Sequence, residues 1–129
     1  MNYTSIEKSK KLAKILPLES ADMYYECTKE EPEYKVYVGR NIAITYNLFS
    51  YRNGYTIPCW SLAALLDVLP DELEDNHFLT LDKEGAEYCC CYEDGNGSSF
   101  RHCFSDNPVD ACYELILKLN ELKCCDYVG

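Results

Sequence analysis

The sequence is poor in positive charge, with 12 lysines and arginines against 22 acids. The resulting formal charge of −10 favours solubility and opposes binding to nucleic acid through its phosphates. Long hydrophobic runs are missing as well. No stretch approaches the ~20 apolar residues of a membrane span, and the N-terminus lacks a signal-peptide core. The expected location is the cytoplasm, away from membranes. Histidine is scarce, with His77 and His102 the only two. There is no Gly-rich phosphate loop, no G-x-S-x-G elbow and no H-E-x-x-H, so nothing matches an acid and a base to an electrophile. No enzyme is expected.

Cysteine is plentiful, but the C-x-x-C spacing of zinc knuckles is absent. Nine cysteines form an odd count in a chain read as cytoplasmic, which predicts reduced thiols. Their expected role is as small, polarizable core fillers, without metal or cofactor. Cys124 and Cys125 fall in a stretch read as a frayed tail.

What is present is hydrophobic patterning. Apolar residues make up 47% of the chain and aromatics 13%, with 12 tyrosines, as expected of a globular protein. At 129 residues the chain reads as a single domain, residues 1–129, burying roughly two-thirds of its unfolded surface. No internal repeat or low-complexity linker divides it.

The segment Ile57–Lys123 reads helix, three strands, helix. In the first helix Pro58 follows Thr56 or Ile57, Leu62, Leu65, Leu66 and Leu69 form a stripe, and Pro70 ends the run. In the last, Asn107 is the cap and Pro108 takes the first helical position. Val109, Cys112, Ile116, Leu119 and Leu122 then recur at spacings of three and four. Leu65, Leu66, Ile116 and Leu119 are expected in the core. Between the helices, Phe78–Leu81, Glu87–Tyr92 and Ser99–Phe104 alternate with the period of a half-buried antiparallel meander. Regular alternation puts Phe100, His102 and Phe104 on one face, opposed by Arg101 and Cys103. Turns are expected at Lys83-Glu84-Gly85 and at Asp94-Gly95-Asn96-Gly97.

In the N-terminal third, Thr4-Ser5-Ile6-Glu7 has the form of a capping box and opens a helix that runs to Pro17. Met23–Cys27 fits a strand or a short helix. Tyr34–Val38 alternates as a strand, with Ile42–Tyr46 as its expected hairpin partner. The fold class is therefore α+β: an antiparallel sheet, three-strand meander plus N-terminal hairpin, sandwiched by helices.

Two stretches are candidates for function. Acids gather at Glu26–Glu33 and Asp67–Asp75, read first as solvated loops and second as a surface for a basic partner. In Asn47–Tyr55, aromatic side chains surround Arg52 without any periodic pattern. Tyrosine and arginine concentrate where interfaces gain their energy, which makes Tyr51, Arg52 and Tyr55 the candidate binding residues. No catalytic residue is assigned. The leading expectation is a non-enzymatic protein that binds another protein. The alternative is a small-molecule or nucleotide-binding module, its pocket ringed by Tyr46, Tyr51, Arg52 and Trp60.

The motifs IPCWSLAALLDVLP, a three-strand meander and DNPVDACYELILKLNE together resemble small uncharacterised proteins of bacteriophages, prophages and mobile elements of gut bacteria. That likeness covers residues 17–123. Over residues 57–123 the layout is also similar to the phage ABA sandwich domain. The resemblance implies an origin on a mobile element and the cytoplasm of a host cell as the site of action. It also implies a host factor or defence system as the target, with no site residue to carry over.

Overall fold

The computed structural model of the protein describes residues 2–39, 56–74 and 76–122. It is an α+β fold with two antiparallel sheets, of three and four strands, and three α-helices among the described residues. The chain forms two compact units, one holding Asn2–Ala64 and the other beginning at Leu65. Among the described residues no helix is long and apolar enough to cross a membrane.

The N-terminal unit contains helix α1 (Ile6–Leu12) and strands β1 (Met23–Glu26), β2 (Lys35–Val38) and β3 (Thr56–Cys59). Strand β1 lies between the other two, pairing Met23 with Val38 on one side and with Cys59 on the other. Met23, Tyr25, Ile57 and Cys59 form its core, with Tyr3, Ile6, Tyr34 and Val36 packed around them.

Three expectations shift here. The segment Ile57–Cys59, read as the opening of a helix, belongs to strand β3, and α2 begins only at Leu62. Among the described residues β3 pairs with β1 alone, an edge position at which a proline is tolerated. The cap of α1 is Ser5, whose hydroxyl accepts from the Lys8 N–H, and the helix ends at Leu12. The turn approaching Pro17 cannot stay helical, because proline disfavours the α conformation of the residue before it.

Thr4, freed from capping, is fully buried. Its Oγ1 lies 2.7 Å from Ser9 Oγ and accepts from the Trp60 N–H at 3.2 Å, while the Tyr25 hydroxyl donates to the Thr4 carbonyl at 2.7 Å. Tyr34–Val38 is a strand in part, but its described partner is β1, and Ile42–Tyr46 lies outside the described residues.

The second unit carries the sheet β4 (Glu72–Leu73), β5 (His77–Glu84), β6 (Glu87–Glu93) and β7 (Ser99–Ser105), in that order. Helix α3 (Pro108–Glu121) packs against β6 and β7. Its start follows the sequence: Asn107 Oδ1 accepts from the Asp110 N–H at 2.9 Å, with Pro108 just inside. Val109, Ala111, Cys112, Tyr113, Leu115, Ile116 and Leu119 are buried along α3, a wider stripe than periodicity alone suggests. Leu122, expected in that stripe, is exposed one position past the helix end. In α2 (Leu62–Val68), Leu65 is buried but Leu66 is only half-buried.

The meander departs from regular alternation at one place. Cys90 pairs with Cys103 and Tyr92 with Phe100, so Arg101 and His102 together oppose Cys91. This is a β-bulge, and Arg101 adopts a left-handed φ of 60° to make it. The extra residue reverses the parity of β7 on either side of the bulge. Phe100 therefore shares the helix-facing side with Cys103 and stacks on Tyr92 at 6.1 Å, whereas His102 stacks on Phe104 on the opposite side. The expected grouping of Phe100 with His102 and Phe104 is corrected accordingly.

Candidate functional site

The face of the four-stranded sheet turned away from α3 is the surface that packing leaves unexplained. Register sets its membership. Phe78, Thr80, Asp82 and Glu84 stand opposite Glu93, Cys91, Cys89 and Glu87, and Phe104 stands opposite Cys89. At the near edge Glu72 stands opposite Phe78. The centre of this face is made of small side chains, Thr80, Cys89 and Cys91; the two cysteines are buried beneath their neighbours, and Thr80 Oγ1 lies 3.3 Å from Cys91 Sγ. Aromatics rise on either side of it. Phe78 is 51% exposed and Phe104 49% exposed, the latter stacked on an exposed His102.

Acidic side chains predominate on this face, and Arg101 is half-buried at the bulge opposite Cys91, its guanidinium 5.2 Å from the centre of the Phe100 ring. Glu72, Asp82, Glu84 and Glu87 are exposed carboxylates, and Glu93 is half-buried among them. Lys83 alternates to the other face, where its ammonium sits 5.6 Å from the centre of the Tyr88 ring. Glu84 and Glu87 oppose each other directly across the β5–β6 pair, a position at which like charges destabilise a sheet.

Both histidines meet serines at the β6–β7 turn. His77 Nε2 lies 3.2 Å from Ser98 Oγ and its Nδ1 lies 3.0 Å from the Glu74 carbonyl; His102 Nε2 lies 2.8 Å from Ser99 Oγ. In acyl transfer a Ser–His pair works together with donors that stabilise the developing oxyanion. Here the Ser98 N–H is already donated to the Asp94 carboxylate at 3.0 Å, as is the Asn96 N–H at 2.8 Å. Those bonds hold the Asp94 carboxyl below the usual range. A hollow of about 190 Å³ at this turn is lined by Glu93, Gly95, Gly97, Ser98 and Ser99, a wall that offers a carboxylate to any entering anion. The pairs fasten a turn. Among the described residues, no three His, Cys, Asp or Glu side chains gather as metal ligands would.

The described cysteines are free thiols. Cys112 Sγ lies 3.6 Å from Cys90 Sγ between α3 and β6, and the interaction of the two thiols together with burial drives the Cys90 thiol far up. Burial, reinforced by Cys91 and Glu84, pushes Cys89 up to about 12, and burial takes Cys103 to about 11 despite Lys118. Thiols raised in the fold stabilise it below their ordinary value of 9.0 and progressively less as pH climbs through their folded values. At pH 8 less than about one thiolate in a hundred is present at Cys89 or Cys103. Brief treatment of the folded protein with iodoacetamide should therefore label the half-buried Cys27 and spare Cys89 and Cys103, read by peptide mass spectrometry. Labelling of Cys89 at the rate of Cys27 would refute this.

The sequence-based candidates Tyr51, Arg52 and Tyr55 lie outside the described residues, as does the whole of Asn47–Tyr55. Trp60, expected at a pocket rim, is instead fully buried, and its indole N–H donates to Ser20 Oγ at 2.9 Å. Phe78 was open to discovery from parity, since it alternates with Leu79 and Leu81 on the other face. Phe104 and His102 were not, because the bulge resets their side. No protein-family model, curated protein or solved structure matches the chain.

Proposed function

We propose that the protein is a non-enzymatic interaction module acting in the cytoplasm, whose contact surface includes the open face of the four-stranded sheet. The observation that carries this reading is the half-exposure of both Phe78 and Phe104 on a face otherwise small-centred and acid-rimmed. Covering the remaining surface of each ring would yield about 1 kcal/mol from apolar burial alone. Aromatic anchors of this kind dominate interfaces. The likeness to mobile-element proteins makes a host protein the natural partner. The hollow beside this face does not favour a nucleotide, because Glu93 in its wall would repel phosphate; the pocket expected around Tyr46, Tyr51 and Arg52 lies outside the described residues.

The test is affinity capture from host-type bacterial lysate with wild type and with Phe78→Ser/Phe104→Ser. The double variant should keep its thermal midpoint within a few degrees and retain about a tenth or less of the wild-type partner. Undiminished capture by a folded double variant would remove this face as the contact surface.

A further inference from the structure

Five carboxylates, Glu72, Asp82, Glu84, Glu87 and Glu93, belong to the open face of the four-stranded sheet. Of the cations in these strands, Lys83 is turned the other way and Arg101 is half-buried at the bulge opposite Cys91, two pairs along β6 from Cys89 and further still from Glu87. They are not spread evenly. Asp82, Glu84 and Glu87 crowd the end beside the β5–β6 turn, where Glu84 and Glu87 are direct cross-strand partners flanking Gly85 and Ala86. On the strand lattice, side chains directly opposite stand about 5 Å apart at Cβ, so the repulsion is built in rather than incidental. Phe104 lies next along the same face, across β6 from Asp82, because both stand opposite Cys89. Phe78 marks the far end, about 16 Å from Phe104 along the diagonal.

A partner that fits this surface brings positive charge to one end and apolar contact to the middle and far end. Nucleic acid and anionic lipid surfaces are both repelled by it. Resting on the proposed use of this face, we infer that its occupant is a basic segment of a partner protein, carrying lysine or arginine against Asp82, Glu84 and Glu87 and apolar side chains against Phe104 and Phe78. Cations there relieve the Glu84–Glu87 repulsion as they bind. The rings supply the part of the affinity that salt does not screen. The field of these carboxylates is felt inside the face as well, since Glu84 contributes to holding the Cys89 thiol up.

The probe is a short fluorescein-labelled peptide of lysine and leucine, followed by anisotropy at low and physiological salt, with a glutamate–leucine peptide of equal length beside it. Two variants carry the same change of charge. Asp82→Lys/Glu84→Lys alters the face, and Glu30→Lys/Glu33→Lys alters exposed acids of the other unit. The expected result is binding of the lysine peptide only. Affinity should fall about tenfold or more in Asp82→Lys/Glu84→Lys and less than about threefold in Glu30→Lys/Glu33→Lys. Phe104→Ser should weaken the binding that survives at physiological salt. Equal losses in the two charge variants would mean that net charge alone attracts the peptide, and the inference would be overturned. So would an absence of binding, or binding that none of the variants changes. If lysate capture requires Phe78 and Phe104 while the peptide ignores Asp82 and Glu84, the face is an interface for a partner that is not basic. In that case the inference fails and the proposed function stands.

Discussion

Trp60→Ala is expected to destabilise the protein by about 3–5 kcal/mol, the range for truncating a large aromatic in a core. The side chain is wholly buried, its indole N–H donates to Ser20 Oγ, and its backbone N–H and carbonyl both bond to Thr4. Truncation therefore opens a cavity at the point where the N-terminal segment is tied to the end of β3. Small domains have only about 5–15 kcal/mol in hand, so this variant should be marginal at 37 °C. Trp60→Phe keeps most of the volume and loses one hydrogen bond, for an expected cost of about 1–2 kcal/mol. Urea denaturation followed by circular dichroism measures both. A loss under about 1 kcal/mol for Trp60→Ala would show that the site collapses around the smaller residue.

Ile116→Ala carries the second large effect, about 2–5 kcal/mol. Ile116 is fully buried on the α3 stripe, in the helix that covers β6 and β7. Leu122→Ala, at a position 49% exposed beyond the end of that helix, should change stability by no more than about 0.5 kcal/mol. The contrast is informative because the two positions share one periodic pattern and differ only in what covers them. Loss of less than half a kcal/mol at Ile116 would mean that α3 contributes little to holding the sheet.

Elements whose signals are local were legible from the chain. Asn107 and Pro108 start α3 through a cap and a preset φ, and Glu87–Tyr92 forms the expected strand, although Cys89 to Tyr92 are buried on both of its faces. Short signals were ambiguous by one residue or one element. Thr4 and Ser5 are both good caps, and the choice fell to Ser5 because Thr4 bonds to Ser9, Tyr25 and Trp60, partners that lie up to 56 residues away. Ile57-Pro58-Cys59 is an apolar run too short to show a period, and the available edge of β1 made it a strand. The aromatic stretch Asn47–Tyr55, which lies outside the described residues, stands out in the sequence because it lacks periodicity, and that distinguishes it without saying what it contacts.

By itself the sequence determined the α+β class, the antiparallel meander and the start of the last helix, since capping, proline geometry and side-chain periodicity act within a few residues. It also determined the excess negative charge, which is set by composition. Only the tertiary structure decided where that charge and the exposed aromatics come together. The bulge at Arg101 moves His102 and Phe104 to the open face, and the β5–β6 register sets Glu84 against Glu87. Register and bulges are chosen by which face finds a covering helix, a balance of burial across strands that no single stretch of chain contains.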